Sequence, residues 1–463
     1  MFIKSQGPTY KSAVYKIELR QSSRIIEPPS DKEEDDSEPL LPHEKAQAAE
    51  DLAHAAPFPY KKTRLRELPY KDIIRRGIPW NDPTFPHGPQ ALFIDGVKHQ
   101  SHEFWDYQED VKFYWRRASD HFADQGCKTL VFDGIDPTDI VQGKIADCYF
   151  LAALAGLAED APEKAHLQLG ERIRDNILVQ KTNTAGCYAI KMTVDGEDLV
   201  VVVDDWFPFY MDKNGEERFC FARNKSGELK DGEGEMWVQL IEKAWAKVCG
   251  SYEAAEMGTA AEALNNIDGT PCQIFFIDQV EKANDQAKLW DMLEEADRDR
   301  YVVTCSIDSN TRSNPETLKD FGLCDFHSYT MMQCLAVKLY PKGKTYRYLM
   351  QLRNPWGKRE WLGPWSDYSN TWDKYPYVHQ QLRVREDKSQ RSQASTGTLG
   401  AADDGRFWIL YKDFFQYFYC VTINYTRDDY YLIRAAEEVP DETWGVSRIV
   451  IPQDTESVFF SIF

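Results

Sequence analysis

Cys148 stands where a loop of small and polar residues, Gln142-Gly-Lys-Ile-Ala-Asp, gives way to the apolar run Cys148-Tyr-Phe-Leu-Ala-Ala. That change of composition places the thiol at the N-terminus of a helix, where unsatisfied backbone N–H groups and the positive end of the helix dipole gather. Both favour thiolate, the reactive form of cysteine. Gln142, six residues earlier, carries a side-chain amide that can donate to an oxyanion beside the sulfur. A cysteine nucleophile needs two more parts: an imidazole to take its proton, and an acceptor that fixes the imidazole's tautomer.

Nine histidines are available. His43 and His54 fall in a polar tail, and His87, His99, His102, His121, His166 and His379 sit among polar or turn residues and read as surface groups. His327 differs, because it opens the run His327-Ser-Tyr-Thr-Met-Met-Gln with a polar loop before it and a strand after it. A side chain at a strand's mouth is held rigidly and stays reachable. Asn354, in Leu352-Arg-Asn-Pro-Trp-Gly357, follows another strand and is restricted by the next proline, so its amide can point at a histidine. Trp356 can cover that contact from water. Taken alone, His327 also reads as a structural histidine and Asn-Pro-Trp-Gly as a plain turn. Spacing does not choose between these readings.

The elements that must position these residues divide the chain. Residues 1–66 carry the acidic run Asp31 to Glu38 between proline-rich flanks and predict a disordered tail. A first subdomain over 67–257 holds an apolar helix at 148–158, strands from Cys187 and from Leu199, and a helix from Met236 to Val248 with apolar residues at 3.6-residue period. A second over 258–430 holds a helix at about 280–297 among strand-like runs near 273–277, 301–307, 329–338 and 346–353. Helices crowd the first half and strands the second, which predicts an α+β fold of two subdomains with separate cores. Residues 386–403 read as a flexible surface loop.

Composition narrows the function classes. A formal charge of −20 excludes the basic face that nucleic-acid binding needs and disfavours anionic membrane surfaces. Carboxylate clusters suit calcium. Ten cysteines occur without a CxxC pair, which excludes a zinc ribbon or thioredoxin-like motif. No signal peptide or apolar stretch of transmembrane length is present, so the expected setting is reducing and cytoplasmic.

Three motifs in order, Gln142-Gly-x-x-x-Asp-Cys148-Tyr-Phe-Leu-Ala-Ala, His327-Ser-Tyr, and Arg353-Asn-Pro-Trp-Gly-x-x-Glu360-Trp-x-Gly-x-Trp365-Ser-Asp367, resemble the protease core of the calpains. Asp82-Pro-Thr-Phe-Pro86, the helix segment Glu235 to Ala254, and Asp404-Gly-Arg-Phe-Trp to Phe414 extend the resemblance over roughly residues 68 to 428. It implies a papain-like core with the cleft between the subdomains. It further implies Cys148 as nucleophile, His327 as general base and acid, Asn354 as orienter, Gln142 as oxyanion donor, and Trp356 as shield of the His–Asn contact.

The same resemblance implies one Ca²⁺ per subdomain. In the first, the matching positions are the carbonyls of Phe132 and Gly134 with the carboxylates of Asp139 and Glu235. In the second they are Glu360, Asp367 and Asp404. The family's further acid, two residues after Asp404, is Arg406 here, and a cation in a calcium shell is unfavourable. The first site is therefore the stronger candidate. Two other departures touch the cleft. Leu-Gly-Asp-Cys-Trp of the family is Ile145-Ala-Asp-Cys-Tyr149, and the family's glycine before the histidine is Phe326, which narrows the cleft. Neither removes a catalytic atom.

Beyond residue 436, the runs Val446-Ser-Arg-Ile-Val-Ile and Ser457-Val-Phe-Phe resemble the opening strands of the β-sandwich that follows the calpain core, so residues 431–463 read as a domain cut short. No EF-hand loop occurs, so no small regulatory subunit is expected. The reading that follows is a calcium-regulated cytosolic cysteine endopeptidase acting on extended, accessible protein segments. The alternative from another class is a catalytically inactive calpain-like scaffold.

Overall fold

The computed structural model describes residues 68–96, 113–159, 169–194, 197–225, 233–280, 282–308, 315–389, 404–426, 430–433, 446–452 and 459–462. The 1–66 tail, His99, His102 and His166 lie outside them.

The helix Cys148–Leu157 is buried along its whole length. No polar face interrupts Phe150-Leu-Ala-Ala-Leu-Ala-Gly-Leu, so it has no side to give to solvent and must be enclosed by other elements. Phe150 stacks on Trp245 at 5.3 Å between ring centroids. Trp245 belongs to the helix Trp237–Cys249, whose periodic apolar residues join the same core. That helix also buries Lys243 and Lys247 completely, a cost that only close partners offset. Lys247 Nζ lies 2.6 Å from Asp82, and Lys243 pairs with Asp204 and donates to the Trp206 carbonyl at 2.6 Å. The Asp82 N–H in turn donates to Asp204 at 2.7 Å, so the opening segment is pinned to the helix through two buried ion pairs.

The first half holds sheets beside its helices, among them the strands predicted from Cys187 and Leu199. It contains the antiparallel hairpin Cys187–Val194 with Glu197–Asp204, and a three-stranded sheet of Tyr114–Arg117, Trp206–Met211 and Glu217–Phe219. The second of these lacks clean alternation in sequence because aromatic residues fill both faces, as in Trp206-Phe-Pro-Phe-Tyr.

The later half is organised by a six-stranded antiparallel sheet in the spatial order Cys272–Phe276, Cys420–Asn424, Val302–Ile307, His327–Lys338, Tyr346–Arg353, Arg406–Leu410. One face packs on Leu289, Trp290, Leu293 and Ala296 of the helix Ala283–Asp299 and on the helix Tyr411–Tyr417. The other face, through Leu335, Val337, Leu349 and Trp408, receives Val378 and Leu382 of the helix Pro376–Ser389. This helix takes the first four residues of the predicted 386–403 loop, and 390–403 lie outside the described residues. Ala263, Leu264 and Ile267 of the helix Ala260–Asp268 belong to the first core.

The two cores meet along the nucleophile helix. Thr330 Oγ1 donates to the Ala152 carbonyl at 2.7 Å. One turn further on, Gly156 leaves no room for a side chain, because a Cβ there would overlap Val302 Cγ1 and crowd Thr330. The strands that carry the base are thus seated against the helix that carries the thiol. Arg353 Nη2 donates to the Ile140 carbonyl at 2.8 Å, and the Gln142 N–H donates to the Pro355 carbonyl at 3.1 Å, closing the same seam at its other end.

The C-terminal residues form a separate unit from 428 onward. Within it, Tyr430–Ile433, Val446–Pro452 and Phe459–Ile462 make a three-stranded antiparallel sheet. The first of these strands joins the two runs that sequence singled out.

Candidate active site

Cys148 is the first residue of its helix and is 7% exposed. Its thiol donates to the carbonyl of Phe326 at 3.8 Å, the residue immediately before His327. Helix and strand therefore bring the Cys148 thiol to the segment that carries His327. The helix N-terminus favours thiolate as expected, but burial outweighs it: the thiol is pushed up to about 12, with the Asp147 carboxylate adding to the effect and contacts to Ser328 opposing it.

His327 opens the strand His327–Lys338 and is buried. Its Nε2 lies 2.8 Å from Asn354 Oδ1. An amide oxygen only accepts, so Nε2 carries the proton and Nδ1 keeps its lone pair. Burial lowers the imidazole to about 4 despite that bond. Asn354 is itself fixed from three sides. Its Nδ2 donates to the Arg359 carbonyl at 3.0 Å, its Oδ1 also accepts the Trp356 N–H at 3.0 Å, and its own N–H donates to the Gly405 carbonyl at 2.8 Å. Trp356 lies with its ring centroid 4.5 Å from the imidazole, and Arg359 sits over the outer side of the indole at 5.2 Å. Arg359, which sequence reasoning did not single out, thus supports both the orienter and the shield. Nothing in its sequence neighbourhood marks it.

Gln142 is close to the helix start, but its Nε2 donates to the Ile145 carbonyl at 2.7 Å. One amide hydrogen remains for another acceptor. The Tyr149 substitution is absorbed without an orphaned hydroxyl: the phenol donates to the Ala255 carbonyl at 2.9 Å and accepts from Trp245 Nε1 at 3.0 Å. Phe326 adopts φ +47°, the left-handed region where glycine is at ease and a bulky residue is not. Two residues read as surface histidines are otherwise placed. His121 is buried against Glu217 and Gln125, and His87 stacks on Trp206 at 4.3 Å.

The candidate calcium residues form two unlike groups. Glu235 accepts the N–H groups of Asp133 and Gly134, and Asp139 is raised to about 7 by burial and by the neighbouring Glu235 and Asp136 carboxylates. Phe132 and Gly134 border this group on the Leu130–Ile135 turn. A carboxyl group whose ionisation neighbouring carboxylates oppose, as at Asp139, is the setting a hard divalent cation relieves, so the first group fits calcium. In the second, Glu360 accepts the N–H groups of Asp404 and Gly405 at 3.2 and 3.0 Å, and Asp404 accepts the N–H of Arg406 at 2.9 Å. Asp367 follows the buried Trp361–Ser366 turn and is half-buried. Arg406 stands directly across the sheet from the buried Arg353. Arg353 acts on Asp404 and equally faces Asp136 and Asp139, so what sets the second group apart is Arg406, a cation where the resemblance implies an acid, and this group fits calcium poorly. Among the described residues no three His, Cys, Asp or Glu side chains converge closely enough to hold a metal by themselves, and backbone carbonyls would have to complete either shell.

An α+β core with a thiol at a buried helix start, packed on an antiparallel sheet that presents an asparagine-held imidazole, is papain-like. Within that class the chain belongs to the calpain family of cysteine proteases: the profile described as Calpain family cysteine protease matches residues 80–425. The chain is 30% identical over 365 residues to calpain-9 of Rattus norvegicus, covering 77% of this chain and 44% of that protein. It is 29% identical over 358 residues to the calpain-1 catalytic subunit of Bos taurus, covering 77% and 43%. It is 28% identical over 341 residues to the calpain-type cysteine protease DEK1 of Zea mays, covering 72% and 13%. The chain therefore spans less than half the length of these relatives.

Proposed function

We propose that this chain is a calcium-regulated cysteine endopeptidase of calpain type that cuts extended, accessible segments of cytoplasmic proteins. The observation that carries the reading is the His327–Asn354 hydrogen bond, which leaves Nδ1 as a base beside the Cys148 segment. In the reaction Nδ1 takes the thiol proton as sulfur attacks the peptide carbonyl. The Cys148 N–H, which has no intrahelical acceptor at the first helical position, and the remaining Gln142 amide hydrogen face the developing oxyanion. The imidazolium then gives its proton to the leaving amine, and water releases the acyl group from sulfur. The ten free cysteines support a reducing compartment. Among the described residues no helix is long and apolar enough to cross a membrane.

In the closed geometry thiol and imidazole are both neutral. Burial raises the thiol and lowers the imidazole, and both shifts oppose the ion pair. Activity requires that the cleft admit solvent or substrate and lift this burial. Calcium at Phe132, Gly134, Asp139 and Glu235 would neutralise the acid group that borders the seam between the halves. The second group, Glu360, Asp367 and Asp404, has Arg406 where an acid would complete it, so we propose one Ca²⁺ per chain.

One observation favours the alternative of an inactive scaffold: the Phe326 carbonyl sits against the sulfur. Labelling of Cys148 by a peptidyl epoxide, with and without calcium, separates the two readings. Calcium-enhanced labelling supports the protease; absence of labelling in both conditions, in folded protein, supports the scaffold.

A further inference from the structure

Two exposed apolar side chains, one from each half of the core, stand on residues whose backbone is bonded to the nucleophile segment. Met257 is 52% exposed and Phe326 is 42% exposed. Both adopt left-handed backbone, at φ +58° and +47°, where neither residue type is at ease. Both are fixed to the nucleophile segment through backbone atoms. The Met257 N–H donates to the Ala146 carbonyl at 3.1 Å, and the Phe326 carbonyl accepts the Cys148 thiol. The loop bearing Met257 is further held by Gly258, which lies so close to the Tyr149 ring that a Cβ there would overlap it. A strained backbone that holds large apolar groups out in solvent lowers stability twice over, so their placement calls for a functional reason.

We infer that Met257 and Phe326 are specificity-determining walls on opposite sides of the thiol, selecting substrates with apolar side chains flanking the scissile bond. The inference rests on the peptidase reading. The geometry of an extended peptide supplies the link. Successive side chains point to opposite faces, so the two residues that flank the bond reach different walls. An apolar residue gains by removing Met257 or Phe326 surface from water. A carboxylate brought to the same place loses hydration and finds no partner there.

The test uses the full chain and two epoxide probes of one extended backbone, differing only in leucine or aspartate beside the reactive group. Iodoacetamide serves as a reference for thiol reactivity in each variant, and labelling is read by mass spectrometry at Cys148. For the unaltered protein, the leucine probe is expected to label at least tenfold faster than the aspartate probe. The varied side chain reaches one wall, so one of Met257→Gly and Phe326→Gly, both changes that suit the left-handed backbone, is expected to cut that ratio at least threefold after normalisation to iodoacetamide. An unaltered ratio in both variants overturns the inference and leaves the peptidase reading standing. Failure of every probe to label Cys148 overturns the peptidase reading and the inference with it.

Discussion

Arg353 and Arg406 stand directly opposite each other on the antiparallel strands Tyr346–Arg353 and Arg406–Leu410. Like charges so placed repel, and Arg353 is buried, with its guanidinium lowered to about 10 first by burial and then by Arg406. The pair is tolerated because Asp404, Asp136 and Asp139 act on it in the opposite sense. On the proposed calcium reading, Arg406 stands in for an external cation. Arg406→Glu removes that stand-in by adding a fourth acid to Glu360, Asp367 and Asp404. Titration calorimetry is expected to count one Ca²⁺ in the unaltered protein and two in Arg406→Glu; equal counts would contradict the internal-cation account. Glu235→Gln is expected to abolish binding in the otherwise unaltered chain.

Asn354→Ala removes the acceptor from a buried imidazole N–H. The unpaired donor costs about 1–3 kcal/mol of stability, read by denaturant unfolding. Peptidase turnover should fall about a hundredfold, because Nδ1 no longer holds its lone pair toward the sulfur. Asn354→Gln, which restores an amide at a different reach, should recover stability more than turnover.

Gly156→Ala tests how closely the nucleophile helix must sit on the sheet. The new Cβ would overlap Val302 Cγ1, and a β-branched side chain cannot swing clear. Overpacking of this kind costs about 1–3 kcal/mol. A displacement near 1 Å between thiol and base is worth about a hundredfold in rate. The variant should therefore remain folded in dilute buffer while its rate collapses. Full activity would show that the seam is compliant.

The pH dependence of stability has a defined sign at His327. The unfolded imidazole takes its proton below about 6.5. The buried one does so only below about 4. Between these values the unfolded chain binds more protons, so the contribution of neutral His327 is complete above the upper value and is lost as pH falls toward the lower. The loss is of order 3 kcal/mol. Unfolding free energies measured from pH 7 to pH 4, for the protein and for His327→Gln, isolate it: the difference should shrink toward acid, and a constant difference would refute the burial argument.

Much of the site was legible because its chemistry is carried by rare residue types at element ends. The apolar run after Cys148 could only be an enclosed helix, and His327 and Asn354 both sit where a polar loop meets a strand. What sequence did not disclose depends on burial and on backbone. The thiol's protonation follows from how completely the helix is enclosed, which outweighs the dipole that local reading weighed. His121 looked like a surface group because its partner Glu217 is remote in the chain. The sheet through Trp206–Met211 escaped the alternation test because both of its faces are aromatic. Arg359 holds Asn354 through its carbonyl, an atom every residue has, and its guanidinium meets Trp356 only through the fold.

The contact between the Cys148 thiol and the Phe326 carbonyl has a redox consequence. Peroxide attacks thiolate, and a protonated sulfur with 7% exposure offers it little. The closed cleft therefore shields the nucleophile from oxidants as well as from idle chemistry. On the proposed reaction, any opening that admits substrate would also expose the sulfur to oxidation to sulfenic acid.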